Sequence, residues 1–184
     1  MLIDQEILKN PLKYTAGFQR DQTKISGRRG TYGPLGNIAA NGCGSLAVHN
    51  ILEYFGMAGT YGDVVRRFNR SWFRSTLCGG ILGTNPWFAV RYLKKMGLHT
   101  TVHFIYGRKA YRCEPENRQA FLTVYLWKQH WKIGGHYQAL VRLRSGRLES
   151  FNSPDRIYDD VQEFYKESGA VAMILVECRP ALAK

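Results

Sequence analysis

Acidic residues are scarce: 14 Asp and Glu stand against 26 Lys and Arg in 184 residues, leaving a net charge of +12. That imbalance implies an acidic partner, substrate or surface without saying which. Long basic runs are also missing. Arg28-Arg29, Arg66-Arg67 and Lys94-Lys95 are only doublets, so they read as solvated faces and no nucleic-acid-binding tail is expected. Cys43, Cys78, Cys113 and Cys178 include no close pair, which argues against both a disulfide framework and a zinc ribbon. Reduced thiols fit a cytoplasmic location, and neither a metal nor a cofactor is expected. No opening stretch has the pattern of a signal peptide, and no apolar run approaches the length of a membrane span. Internal repeats and low-complexity tracts are absent as well.

What is present suits one packed core. A hydrophobic content of 45% over this length predicts a single domain, residues 1–184, with a strap at 1–30, a helical part at 31–98 and a mainly β part at 99–178. In the strap the apolar signal is weak, at Ile3, Ile7 and Leu8, and a turn-rich loop from Gly27 to Gly36 leads on toward Cys43. Asp63 is positioned to cap a short helix carrying Val64, Val65 and Phe68, and Trp72 to Gly83 reads as a loop. Asn85-Pro86 opens a helix with Phe88, Ala89, Tyr92, Leu93 and Met96 on its apolar face, closed by Gly97. From His99 the period shortens to two. Thr100 to Ile105, Phe121 to Trp127, His136 to Leu143, Arg147 to Phe151 and Val171 to Val176 read as strands, with a helix over Val161, Phe164 and Tyr165 before the last. Helices first and an antiparallel sheet afterwards define an α+β fold.

The chain is organised around Asn41-Gly42-Cys43-Gly44-Ser45-Leu46-Ala47. Ala47, Val48, Ile51, Leu52 and Phe55 recur at helical spacing, and Gly56 ends the run. Cys43 therefore heads a buried helix. The dipole and the unpaired N–H groups of a helix N-terminus favour thiolate over thiol, and the flanking glycines leave room for a carbonyl to approach sulfur. As an alternative, Cys43 is simply a small buried residue at the start of a core helix.

A second group comes from a hairpin. Ser145-Gly146 turns the His136 strand back into the strand ending at Phe151, so the start of the first lies beside the end of the second. His136 and Asn152 are thereby brought to one end of the sheet, where Asn152 can accept from the imidazole N–H. Their ordinary readings are a strand histidine and a turn residue. His49 reads as structural, and His99, His103 and His130 have no partner pattern. Trp127, Trp131 and Tyr137 lie near His136 in sequence and are placed either as cleft walls or as core.

Three short motifs carry a resemblance: Asn-Gly-Cys43-Gly-Ser-Leu-Ala at a helix start, Gly-Gly-His136-Tyr at a hairpin start, and Asn152-Ser-Pro after it. Together they resemble the papain-like cysteine peptidases, closest to the bacteriocin-processing, double-glycine-cleaving family and its stand-alone relatives, over about 37–176. The resemblance implies a papain-like fold, with the nucleophile helix packed on an antiparallel sheet. It also implies a thiol-dependent hydrolase of peptide or related amide bonds, with Cys43 as nucleophile, His136 as base and acid, and Asn152 as the orienting residue. Where the family has an oxyanion-binding glutamine, six residues before the nucleophile, this chain has Asn37, with Asn41 as a nearer substitute. The family's usual aspartate followed by proline is here Asn152 with Ser153 before Pro154. The expected partner is a peptide or protein substrate, and the net charge admits an acidic one. Two other readings stand beside it: a degenerate papain-like domain that binds peptides without cutting them, and a basic binding module for acidic partners.

Overall fold

A computed structural model describes residues 17–20, 31–107, 111, 118–129, 132–152 and 156–181. Most of the proposed strap, Trp131, Cys113, His130, Ser153 and Pro154 lie outside the described residues.

A two-stranded ribbon, β1 (Thr31–Tyr32) and β2 (Gly36–Asn37), leads into α1 (Ile38–Asn41) and α2 (Cys43–Tyr54). Every residue of α2 from Cys43 to Leu52 is buried. Burying side chains such as Leu46, Val48, Ile51 and Leu52 contributes about 1.5–3 kcal/mol each, far more than helix propensity does. Gly56 takes the left-handed φ of +70° expected just beyond the helix. The next helix, α3 (Tyr61–Arg70), begins earlier than its sequence suggested. Thr60 is the cap, and Asp63, expected in that role, sits at the third helical position and completes a capping box with it. The expected loop after it contains α4 (Trp72–Ser75) and a 3-10 turn at Cys78–Gly80. Asn85 and Pro86 open α5 (Pro86–Lys95) as read, the Asn85 carboxamide accepting from Trp87 N–H.

The sheet consists of β3 (Leu98–Tyr106), β4 (Ala120–Gln129), β5 (Lys132–Arg142), β6 (Leu148–Phe151), β7 (Ile157–Tyr158) and β8 (Ala170–Pro180), with α6 (Val161–Glu167) before β8. Its order is β3-β8-β4-β5-β6-β7, and every neighbouring pair is antiparallel. Strand alternation splits the apolar residues between two cores. Ala120, Leu122, Tyr137, Ala139, Val141, Val176 and Cys178 pack with residues of α2, α3 and α5. Phe121, Tyr125, Leu140, Met173 and Leu175 pack with Val161, Phe164 and Tyr165 of α6. This is the α+β arrangement of helices on an antiparallel sheet.

Residues 17–20 pack against α2 and β6. Asn50 is fully buried; its Oδ1 accepts from Gln19 N–H and its Nδ2 donates to Gln19 C=O, both at 2.8 Å. Phe18 stacks on Phe151 at 4.5 Å between ring centroids. Among the described residues, no helix is long and apolar enough to cross a membrane.

Candidate active site

The site forms where the first turn of α2 meets β5. Thr84, in the connection to α5, joins three segments there. Its Oγ1 shares a 2.5 Å hydrogen bond with Tyr32 Oη, and its carbonyl accepts from Tyr137 Oη at 2.7 Å. Gly44 fits against the Thr84 side chain so closely that a Cβ at position 44 would lie 2.9 Å from Thr84 Cγ2 and nearer still to Cβ and Oγ1. Glycine after the cysteine is therefore a packing requirement.

Cys43 is the first residue of α2 and is only 6% exposed. Burial pushes the thiol above its ordinary value, while backbone N–H groups of Tyr137, Gly44 and Cys43 itself act in the opposite direction. The thiolate expected from the helix terminus is thus disfavoured in the resting structure, because desolvation outweighs the dipole. The influence of Tyr137 N–H places the sulfur against β5 at the residue following His136.

His136 is partly buried, and its ring stands edge-on to Tyr125 at 5.9 Å. Its Nε2 lies 3.0 Å from the Asn152 backbone carbonyl. A carbonyl only accepts, so Nε2 carries the proton and Nδ1 of the neutral ring is the free base. Burial lowers the His136 pKa, and this hydrogen bond partly opposes the shift. The hairpin therefore joins His136 to Asn152 as expected, but through the main chain. The Asn152 carboxamide instead donates to Tyr137 C=O at 3.2 Å, and the residue holds φ +86°, a left-handed conformation that asparagine tolerates better than most side chains. Among the described residues, no hydrogen bond joins the Cys43 sulfur to the His136 ring.

Asn37 caps α1, its Oδ1 accepting from Ala40 N–H at 2.8 Å. Asn41 uses both ends of its carboxamide: Oδ1 accepts from Asn37 N–H at 3.1 Å and Nδ2 donates to Ile81 C=O at 2.6 Å. Of the aromatic residues near His136, Tyr137 belongs to the helix-side core, and the Trp127 indole covers Gly134.

Sequence reasoning missed Gln138. Fully buried, it donates from Nε2 to the same Asn152 carbonyl at 3.1 Å and accepts from Tyr125 Oη at 3.2 Å. The available signal was strand alternation, which puts Gln138 on the face of His136 two residues on. Thr84 had no local signal at all. His49 behaves as a structural residue; its Nε2 donates to Gly17 C=O at 3.0 Å. Among the described residues, no group of three His, Cys, Asp or Glu side chains is arranged to hold a metal.

No protein-family model matches the chain, and no curated protein matches it. Among solved structures it is similar to the peptidase domain of Streptococcus ComA, a bi-functional ABC transporter involved in a quorum-sensing pathway. The identity is 16% and the TM-score 0.43, over 82% of this chain and 99% of that one.

Proposed function

We propose that the protein is a papain-like cysteine peptidase acting on a peptide or related amide bond through Cys43, His136 and Asn152. One observation carries the reading: a cysteine at a helix N-terminus lies against the strand residue that follows a histidine, whose ring is tethered through Nε2 so that Nδ1 is its free base.

The raised thiol and lowered imidazole favour a neutral resting pair over an ion pair. His136 Nδ1 therefore takes the thiol proton as sulfur attacks the substrate carbonyl. The oxyanion receives hydrogen bonds from the backbone N–H of Cys43 and from a carboxamide N–H. Asn37 is the better donor of the two candidates, because only its oxygen is committed to capping whereas both ends of Asn41 are engaged. The imidazolium then protonates the departing amine, and the neutral ring deprotonates the water that attacks the thioester. Throughout, the Asn152 carbonyl holds Nε2–H, and Gln138 fixes that carbonyl from its other side.

The test is covalent labelling by a peptide-aldehyde probe together with peptide turnover. Cys43→Ala should abolish both while its circular dichroism and melting stay those of the parent; undiminished labelling of that variant refutes the proposal.

The 6% exposure of Cys43 favours a second reading, a domain of this fold that holds peptides without cutting them. Tight peptide binding with no turnover and an unreactive Cys43 in the parent protein would establish it.

A further inference from the structure

On the flank formed by α3, α4 and α5 there is a cavity of about 450 Å³, lined by Arg67, Arg74, Phe88, Arg91, Tyr92 and Lys95. The volume is within the range of small-molecule pockets, roughly 300–1,000 Å³. Four of the six lining residues are cations and none is acidic. On α5, Phe88 and Tyr92 are four residues apart, as are Arg91 and Lys95, and the two pairs are offset by three, so a single helix face supplies two rings and two charges. Arg67 and Arg74 add theirs from α3 and α4.

Some surface cations are already neutralised by a neighbour, and those lining the cavity are not among them. Arg66, Arg147 and Arg156 each pair with a carboxylate, at 3.3, 2.9 and 3.3 Å. Arg67, Arg74, Arg91 and Lys95 have no carboxylate partner among the described residues. Asp63, whose charge also reaches Tyr92, is committed to Thr60 and Arg66. Like charges gathered around a concavity repel one another, and an anion relieves that repulsion. Guanidinium forks match phosphate oxygens in particular.

The aromatic wall narrows the ligand further. Phe88 and Tyr92 are half-buried and nearly parallel, 5° apart at 6.5 Å between centroids. Both stand edge-on to the fully buried Phe68, at 5.0 and 5.6 Å, which fixes their orientation. A site for an inorganic anion alone gains nothing from such a wall. A planar base against it, with its phosphates among the cations, uses both halves.

We infer that this cavity is a binding site for a nucleoside diphosphate or triphosphate, distinct from the Cys43–His136 site. The phosphates are held by Arg67, Arg74, Arg91 and Lys95, and the base packs against Phe88 and Tyr92.

The test is calorimetric titration of the full chain with ATP, inorganic triphosphate, adenosine and an oligoglutamate peptide at 50 and 200 mM salt. ATP should bind tightest, weaken with salt, and lose about tenfold or more in Arg67→Glu and in Arg91→Glu. Phe88→Leu should bring ATP down to the affinity of inorganic triphosphate. Arg144→Glu, which removes an exposed cation from the turn after β5, should bind ATP as the parent does. These arginines are exposed, and unchanged melting of each variant separates lost binding from lost fold. Equal affinity for ATP and inorganic triphosphate overturns the proposal, as does stronger binding of oligoglutamate. Equal loss in Arg144→Glu also overturns it, since binding would then follow net charge alone. Cys43→Ala should bind ATP normally whether or not the peptidase reading survives.

Discussion

Gly44→Ala sets two effects of known sign against each other. Replacing glycine by alanine within a helix stabilises by at most about 1 kcal/mol, and less at the second helical position than in the interior. Against this, the new methyl would meet the Thr84 side chain, with Cγ2 at 2.9 Å and Oγ1 and Cβ closer. Thr84 is fully buried and has no long side chain to swing aside. Overpacking of this kind costs about 1–3 kcal/mol. Displacing Thr84 also endangers its hydrogen bond to Tyr32, worth about 0.5–1.5 kcal/mol. Sterics therefore win, with a net destabilisation of about 2 kcal/mol. For a chain of this size that lowers Tm by about 4–8 °C. Thermal unfolding followed by circular dichroism measures it directly. The double variant Gly44→Ala with Thr84→Gly should recover part of the loss, giving a coupling of about 1 kcal/mol or more. A Tm equal to or above the parent value would show that the first turn of α2 does not fit against Thr84 as described.

The main-chain tether of His136 predicts that Asn152→Gly labels Cys43 nearly as fast as the parent and faster than Asn152→Ala, since both keep the carbonyl but alanine at φ +86° costs about 1–2 kcal/mol; an equal, large loss in both variants would assign the orienting role to the carboxamide. His49 and His136 are both held below the ordinary value of 6.5 by burial, so the unfolded chain binds protons that the native chain refuses. Their stability contribution is complete above about pH 6.5 and is lost as pH falls below it, until the native rings protonate too; urea unfolding with no decline from pH 7 to 5 would refute the neutral assignment. Asn50→Ala removes both hydrogen bonds to Gln19 and should cost about 1–3 kcal/mol. Limited proteolysis should then cut near residues 17–20 faster than in the parent, and an unchanged cleavage rate would refute the clamp.

Local signals carried most of the elements. Asn85-Pro86, Gly56, Gly97 and the Ser145-Gly146 turn act within a few residues of themselves, so their caps and turns were legible. Alternation along β5 puts Tyr137, Ala139 and Val141 in the helix-side core and Leu140 in the other. Asp63 reads as the cap in sequence because it is a good capping residue, and only the reciprocal bonds show that Thr60 precedes the helix. The position of β8 between β3 and β4 had no local cue; pairing across the whole β region is decided by burial of both faces. Thr84 was illegible for the same reason, since its partners Tyr32 and Tyr137 are 52 and 53 residues away. The backbone route from His136 to Asn152 was hidden because a carbonyl belongs to every residue and leaves no mark in the sequence.

Cys43 exposes the boundary between the two kinds of information most clearly. A helix N-terminus, visible in sequence, favours an anion by about 0.3–1 kcal/mol and at most about 2. Desolvation, visible only in the fold, costs a buried ion several kcal/mol even after relaxation. With Cys43 at 6% exposure the second effect governs, which is why the thiol is raised despite three N–H groups acting on it. His136 is shifted the other way by the same cause, so forming an ion pair would require burying two charges together. In the proposed reaction, charge is created only as sulfur attacks, and it moves at once onto a carbonyl oxygen placed near the Cys43 N–H. The burial that disfavours a resting thiolate also strengthens each hydrogen bond to that oxyanion. A neutral, largely buried pair is therefore consistent with catalysis in which substrate binding brings the His136 Nδ1 to the sulfur.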